Sequence, residues 1–193
     1  MMPKQDDELL QILDAEFARA SRIAGEHLVC RKGCTACCYG PFAINALDAM
    51  RLREGMAAMP AELAERVRAR ARKWVEEFGG EFPGVDGVLG ESDEERARFE
   101  EFANDAACPA LDVETGLCDV YEARPMTCRV FGPPVSVDAG VEEKALGHCE
   151  LCFTQASAEV VEMCQMHPPH ELEASVMAEL GESGETVVAF ALL

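Results

Sequence analysis

The sequence predicts a mainly α protein: a small helical domain with a cysteine-rich, irregular centre and a short β-hairpin. Three observations favour this fold class. Apolar residues recur at helical spacing near both ends, glycines and prolines interrupt the middle, and cysteines cluster there. The chain has 193 residues, and its 49% hydrophobic content is enough for a real core. We therefore expect a single domain over residues 1–193, with a cysteine core over about 30–152 flanked by an N-terminal helix and C-terminal helices.

The N-terminal part of the chain predicts three helices. The first covers residues 6–28, where apolar positions follow the 3.6-residue helical period. Asn45 is a favourable cap for a second helix, which runs to Met59. Pro60 opens a third helix, which ends at the glycine pair 79–80.

The middle of the chain predicts loops, turns and short strands. Five glycines within residues 79–90 indicate a connecting loop. Ser92 and Glu95 then form a capping box that opens a short helix. The prolines and glycines of residues 108–134 favour turns and short strands, and a hairpin is predicted at 111–117.

Two helices are predicted in the C-terminal part. The first runs from Cys149 or Cys152 to about Gln165 and is broken by the proline pair at 168–169. A second helix follows over residues 170–180.

Charge and targeting signals restrict the function. The 17 basic and 36 acidic residues give a net charge of −19, and a surface this acidic repels phosphate backbones and anionic lipid. We therefore expect no nucleic-acid partner and no membrane partner, leaving an unknown protein or small molecule. The N-terminus lacks the features of a secretory signal, and no apolar run has the length of a membrane span. We expect a cytoplasmic protein, in which clustered cysteines serve as metal ligands or redox groups rather than disulfides.

The first cysteine group is the motif Cys30-x3-Cys34-x2-Cys37-Cys38, four thiols within nine residues. If residues 30–38 form one helix, offsets of four, seven and eight put all four sulfurs on one face. A loop that enters a helix near Ala36 is the alternative. Either geometry brings the thiols together, as a metal site requires.

The adjacent pair Cys37-Cys38 limits the kind of metal site. Side chains of consecutive residues diverge by about 100° in a helix and about 180° in a strand, so both thiols can hardly bind one small ion. One of them is therefore a supporting or redox thiol, or the site is larger than one atom, as an iron–sulfur cluster is. Arg31 and Lys32 add positive charge nearby, which favours the thiolate form.

The second cysteine group is Cys108, Cys118 and Cys128, which recur every ten residues. The predicted hairpin brings the first two together, and a proline turn can return the third to the same place. Small buried apolar residues are the alternative interpretation of these cysteines. Arg124 and Arg129 flank the sulfurs and could balance thiolate charge, or form ordinary ion pairs.

The third cysteine group is His148-Cys149-x2-Cys152, followed by Cys164. Cys-x2-Cys is the spacing of a metal pair or a redox pair. On a helix, Cys149 and Cys152 share a face, so a buried apolar stripe is the competing interpretation. Cys164 is predicted to be a core residue.

These motifs together resemble a known family. The Cys30-x3-Cys34-x2-Cys37-Cys38 motif, followed by Cys-Pro-x-Leu, Gly-x-Cys-x-x-Tyr and Arg-Pro-x-x-Cys-Arg, is similar to the YkgJ-like cysteine-cluster family, described as a "putative zinc- or iron-chelating domain". The resemblance spans roughly residues 30–152. It implies that clustered cysteines chelate iron, often as an iron–sulfur cluster, or zinc.

The resemblance also implies a set of ligands. Carried over residue by residue, it favours Cys34, Cys37, Cys38, Cys118 and Cys128, followed by Cys30 and Cys108. Together with the residue-based candidates Cys149 and Cys152, these form the predicted metal site.

Two functions follow from the predicted metal site. The first is an iron–sulfur or iron protein with an unassigned reaction. The second is a non-enzymatic module in which zinc staples the loops, or one that handles metal ions. The spacing of the first three cysteines also occurs in radical adenosylmethionine enzymes, but the repeated strand-helix pattern of their barrel is missing from this sequence. No motif for nucleotide binding or hydrolysis is present, so no enzymatic activity is assigned.

Overall fold

A computed structural model describes residues 2–137 and 145–193 and confirms the mainly α fold class. Within these ranges, the α-helices are α1 (Asp6–Ala24), α2 (Ala46–Ala58), α3 (Ala61–Phe78), α4 (Asp93–Glu100), α5 (Met126–Val130), α6 (Ala158–Met163), α7 (His170–Leu180) and α8 (Val188–Ala191). None of the helices in the described ranges is both long and apolar enough to cross a bilayer.

The described strands are short and form antiparallel pairs. They are β1 (Ile44–Asn45), β2 (Gly84–Val85), β3 (Val88–Leu89), β4 (Leu111–Asp112), β5 (Leu117–Cys118), β6 (Val135–Val137), β7 (Ala145–Gly147) and β8 (Glu185–Thr186). Three pairs join neighbours in the chain, namely β2 with β3, β4 with β5, and β6 with β7. The fourth joins β1 to β8, with Ile44 opposite Thr186.

The chain divides into two compact units, which we call unit 1 and unit 2. Unit 1 comprises Pro3–Arg31 and Thr127–Leu180, and unit 2 comprises Lys32–Met126 and Gly181–Leu193. The boundary at Arg31 and Lys32 lies inside the first cysteine motif. The expectation that residues 1–193 form a single domain stays a prediction.

Unit 1 is built around α1, which packs against α6 and α7. Leu9, Leu13 and Ala20 are fully buried on one face of α1, as the helical period of its sequence predicts. An apolar cluster at the end of α1 includes Ala24 and Phe153 together with buried cysteines. Cys152 and Cys164 are therefore part of the hydrophobic core of this unit, and Cys30 and Cys149 pack against it.

Unit 2 contains two apolar clusters. In the first, α2, α3 and α8 pack together through buried residues such as Leu52 and Val67, and Cys108 and Cys118 pack against its edge. The second cluster is aromatic and is centred on Trp74, whose ring lies 5.8 Å from that of Phe102 in an edge-on arrangement. The thiols of Cys108 and Cys118 thus lie beside a rigid helical core.

Most of the predicted helices are confirmed. The first helix ends at Ala24 and continues as a short 3-10 turn to His27, while the second and third agree with their predicted caps and ends. The capping box of Ser92 and Glu95 opens α4, and the hairpin at 111–117 forms as β4 and β5.

The predicted helix from Cys149 or Cys152 to about Gln165 begins later than expected. The helix α6 starts at Ala158, with Ser157 as its cap. Phe153 has a φ of 58°, a left-handed conformation that a bulky residue rarely adopts and that cannot continue a helix. Its N–H donates to the carbonyl of His27 at 2.7 Å, and this bond to another segment holds it there. Cys149 and Cys152 therefore lie on a turn.

Two further elements were not predicted, one formed by a tertiary contact and one by a local turn signal that the sequence analysis did not use. A short helix, α5, follows Pro125 within residues 108–134, because the carboxylate of Asp48 accepts the first N–H of the helix, that of Met126, at 3.0 Å. The loop at 79–90 contains the hairpin of β2 and β3, whose turn is the Asp-Gly pair at 86–87 with both φ angles positive.

The cap of α2 provides a test of local stability. The Oδ1 atom of Asn45 accepts the N–H of Asp48 at 2.9 Å. Substitution Asn45→Ala should lower the free energy of unfolding by about 1 kcal/mol, since an unsatisfied donor remains at the helix start. Denaturant unfolding measures the change. Asn45→Ser, which keeps a capping oxygen, should stay close to the wild type, and equal losses in both variants would contradict the capping role.

Candidate metal centre

The first cysteine motif is a loop that leads into a single 3-10 turn. This turn covers Ala36–Cys38, and the N–H of Cys38 donates to the carbonyl of Thr35 at 2.9 Å. The sequence allowed either one helix over residues 30–38 or a loop that enters a helix near Ala36, and the structure shows the loop. Cys30 lies in unit 1, whereas Cys34 and the adjacent pair lie in unit 2.

The thiols of Cys37 and Cys38 contact each other. The Cys38 thiol donates a hydrogen bond to the sulfur of Cys37, which lowers the pKa of Cys37 to about 6. The same bond, together with burial, raises the pKa of Cys38. The expectation that these side chains diverge is wrong for this pair, because the two thiols are close enough to hydrogen-bond to each other.

Cys108 and Cys118 lie beside this pair. The N–H of Cys108 donates to the carbonyl of Cys38 at 2.7 Å, which ties the two segments together directly. The β4–β5 hairpin places Leu111 opposite Cys118, and the N–H of Leu111 bonds to the carbonyl of Cys108 at 2.9 Å. Cys108 and Cys118 also raise the pKa of Cys38, because their ionised forms would repel a Cys38 thiolate. Four thiols of unit 2 thus share one neighbourhood.

Backbone N–H groups surround the sulfurs of the hairpin. Burial raises the pKa of Cys108 to about 12, although the backbone N–H groups of Ala110 and Leu111 near its sulfur oppose this rise. Burial likewise raises the pKa of Cys118, which the N–H of Val120 opposes. Both thiols hold their protons in the absence of a cation, but their surroundings already provide donors for a thiolate. A bound metal ion would complete the deprotonation.

Arg70 is a cation at this site that sequence reasoning missed. Its Nε donates to the carbonyl of Pro109 at 2.8 Å, and its Nη2 lies 2.6 Å from a carboxylate oxygen of Asp119. Its charge lowers the pKa values of Cys108 and Cys118. Arg70 comes from α3, and no local motif distinguishes it from the other arginines of that helix.

Arg124 adds positive charge near Cys118, and it shares the ring of Tyr121 with Lys32. The Arg124 guanidinium lies 4.1 Å from the centre of the Tyr121 ring and also lowers the pKa of Cys118. The Lys32 ammonium lies 5.4 Å from the same ring. The sequence left open whether Arg124 balances thiolate charge or forms an ordinary ion pair, and its effect on Cys118 supports the first role.

Arg70 is expected to strengthen metal binding without being a ligand. Arg70→Gln removes the positive charge beside two thiolates, and we expect metal binding to weaken by about 10–100-fold, the range found for outer-sphere partners of metal sites. Competition with a chelator measures the change. The control is Arg72→Gln, which removes an exposed arginine of the same helix that pairs with Glu65. Equal affinities for the two variants would contradict this role.

The remaining cysteines belong to unit 1. Cys149 and Cys152 lie on one turn and Cys30 lies near them, whereas Cys164 is fully buried in the apolar cluster. Cys128 is on α5 and is partly buried. Its neighbour Arg129 forms an ion pair with Asp14 at 3.0 Å, so Arg129 serves in structural pairing.

The donor set fits a thiophilic metal by its chemistry. In residues 2–137 and 145–193, no three His, Cys, Asp or Glu side chains are already arranged around one metal position. Each thiol can rotate about one torsion with three staggered positions, so the sulfurs of neighbouring cysteines can change position on metal binding. Thiolates select zinc, Cu(I) and iron–sulfur clusters over hard cations. The assignment of individual ligands stays a prediction.

Comparison with known proteins agrees with this chemistry. A family model described as "CxxCxxCC: Putative zinc- or iron-chelating domain" matches residues 29–152, more than half of the chain. The matched segment contains every cysteine of the chain except Cys164. No solved structure matches the chain.

Proposed function

Because the chain belongs to the CxxCxxCC family of zinc- or iron-chelating domains, we propose that it is an iron protein that holds an iron–sulfur cluster in unit 2. The proposed ligands are Cys37, Cys38, Cys108 and Cys118. The observation that carries this proposal is the convergence of these four thiols, through the Cys37–Cys38 hydrogen bond and the bond from Cys108 N–H to Cys38 O. The family supports metal binding in general, and the choice of iron is our own.

Two features favour a cluster over a single ion. A cluster has several iron atoms, so Cys37 and Cys38 can each bind a different one. Cys34, in the same loop, adds a fifth thiol to unit 2, one more than a tetrahedral zinc site needs.

The surroundings of the thiols suit a negatively charged centre. Backbone N–H groups near the sulfurs of Cys108 and Cys118 lower the pKa values of these thiols, and N–H groups that bond to cluster sulfurs tune the potential of iron–sulfur clusters. Arg70 and Arg124 add positive charge that offsets thiolate charge. When bound, a cluster would supply one-electron transfer, and the protein residues would hold it and limit its contact with water.

A zinc-stapled interaction module is the second candidate function. It is favoured by the hairpin that carries Cys118, whose strands are only two residues long and gain little stability from their own pairing. A structural zinc ion stabilises such loops by coupling metal binding to folding. This candidate predicts that chelation unfolds the hairpin region.

Metal analysis of protein purified without oxygen separates these functions. We expect iron and acid-labile sulfide in comparable amounts, with a visible absorption that reducing agents bleach. Stoichiometric zinc without colour, in protein that also fails to take up iron and sulfide on reconstitution, would overturn the iron–sulfur proposal and favour the zinc module. Zinc-loaded protein that gains the colour on reconstitution would support the cluster, because recombinant expression often inserts zinc in iron sites.

A further inference from the structure

Unit 2 contains a cleft of about 200 Å³ that lies apart from the proposed metal ligands. Three segments of unit 2 line it: the first two turns of α2, the turn between β2 and β3, and residues 182–186, which include β8. No cysteine is among these lining residues of the described chain. We propose that this cleft, which we call the α2–β8 cleft, binds a small zwitterion of the amino acid type, with a carboxylate and a protonated amine.

The three segments of the α2–β8 cleft are connected to one another. Strand β1, which leads directly into α2, pairs with β8, and Ile44 lies opposite Thr186. The hydroxyl of Thr186 donates to the carbonyl of Gly87 at 2.6 Å, which connects β8 to the turn of the β2–β3 hairpin. Both sides of the cleft are therefore fixed to the same strand.

Short side chains leave the space of the cleft open. The residues of α2 that line it include Ala46 and Ala49, and neither side chain is long enough to fill the cleft. On the opposite side, Gly87 and Gly184 adopt positive φ values of 78° and 98°, which favour glycine. The space is thus left for a molecule other than the chain itself.

Arg53 provides a positive charge for the carboxylate of a ligand. It lines the cleft from α2 and is exposed. Within the described part of the chain, its guanidinium forms no hydrogen bond or ion pair with the protein. A guanidinium presents its N–H donors in a planar fork that matches a carboxylate in a bidentate geometry. Arg53 therefore has its full binding capacity available to a ligand.

Asp86 and Glu182 provide negative charges for the amine. A third acidic residue of the cleft, Glu185, is already paired with Arg96, whose Nη1 atom lies 2.5 Å from Oε2 of Glu185. The carboxylates of Asp86 and Glu182 have no such partner among the described residues. A protonated amine has three N–H donors and no acceptor, so it suits two free carboxylates.

The combination of charges favours a zwitterion over a simple anion or a simple amine. A dicarboxylate would be repelled by Asp86 and Glu182, and a diamine would leave Arg53 without a partner and place a positive charge near it. The cleft is smaller than the pockets of about 300–1,000 Å³ that hold drug-sized ligands, so it suits a molecule the size of one amino acid. Val88 and Phe190 line the same cleft and give an aliphatic side chain an apolar surface.

Titration calorimetry with four small probes tests this choice of ligand. The probes are L-lysine, L-norleucine, cadaverine and hexanoate, added to the protein as purified. We expect both amino acids to bind, with L-lysine the tighter because its second amine matches the second free carboxylate. Cadaverine lacks the carboxylate and hexanoate lacks the amine, so each should bind about 10–100-fold more weakly than L-lysine. If neither amino acid binds, or cadaverine or hexanoate binds as tightly as L-lysine, the proposal is wrong.

Variants of the cleft place the ligand. Arg53→Gln removes the cation, and Asp86→Asn removes a carboxylate while keeping the hairpin, since Asn-Gly is a favoured pair for the same turn. Each should weaken L-lysine binding by about 10–100-fold. The control is Arg66→Gln, which changes an exposed arginine of α3 that does not line the cleft and should leave binding unchanged.

Unchanged binding in Arg53→Gln, or an equal loss in the Arg66→Gln control, would overturn the assignment of the ligand to this cleft. If Asp86→Asn does not fold, Arg53→Gln still decides the question, because its exposed side chain has no partner among the described residues to lose. Neither measurement reads the metal content. Failure of the iron–sulfur proposal would therefore leave the cleft untouched, and failure of amino acid binding would leave the cluster untouched.

Discussion

Replacing Arg51 with methionine is expected to lower the free energy of unfolding by about 3–5 kcal/mol. The Nη1 atom of Arg51 lies 2.6 Å from Oδ1 of Asp48, and their side chains are 3% and 4% exposed. Asp48 also accepts the N–H of Met126 at 3.0 Å, so the pair connects α2 to the start of α5. Arg51→Met leaves the Asp48 carboxylate charged and buried without its guanidinium, which is the costly way to break a buried pair.

Denaturant unfolding of Arg51→Met and a control measures this effect. The control is Arg53→Met, which changes an exposed arginine of the same helix and should cost less than about 0.5 kcal/mol. The double variant Asp48→Asn/Arg51→Met should recover part of the stability, since no full charge is then buried. A loss in Arg51→Met no larger than in Arg53→Met would show that the pair does not stabilise the fold.

Removing one proposed ligand of unit 2 is expected to reduce metal binding more than any other substitution considered above. Cys118→Ala should weaken metal retention by more than about 100-fold, the upper end of the range for residues that only support ligands. Cys118 lies on β5, beside Cys108 and against the apolar cluster of α2 and α3. Its loss leaves at most three of the four proposed thiolates.

The rate of metal transfer to a chelator measures retention in Cys118→Ala. Cys164→Ala removes another buried thiol and serves as the control, and circular dichroism checks that both variants keep their helices. If Cys118→Ala retains metal as well as Cys164→Ala does, Cys118 is not a ligand. A variant that loses metal and keeps its helical content would confirm a ligand role rather than a general loss of fold.

Local signals in the sequence were sufficient for most helices. Asn45, the Ser92 capping box and the apolar face of α1 act within one or two turns of chain, and the structure agrees with each. The pairing of β1 with β8 joins residues about 140 positions apart and has no local signal. The late start of α6 likewise depends on a bond between Phe153 and His27, which belong to distant segments.

The sequence was sufficient to predict which cysteines are candidate ligands. It was not sufficient to predict which of these cysteines lie close together. The spacing of the motif suggested that Cys30 and Cys34 belong to one site. The two residues are only four positions apart, yet Cys30 lies in unit 1 and Cys34 lies in unit 2. The contact between Cys37 and Cys38 depends on the side-chain rotamers of the two residues, which the spacing of the motif does not specify. The role of Arg70 depends on tertiary contacts with Pro109 and Asp119.

The close contact at Gly132 has an evolutionary consequence. A Cβ atom at this position would lie 3.1 Å from the Cβ and 3.3 Å from the Sγ of Cys30, and the φ of 124° disfavours any other residue. A larger residue here would force the backbone away from Cys30, so we expect related chains that keep this cysteine to keep the glycine as well. Gly132, a residue without a functional group, is then a sequence marker for the packing around Cys30.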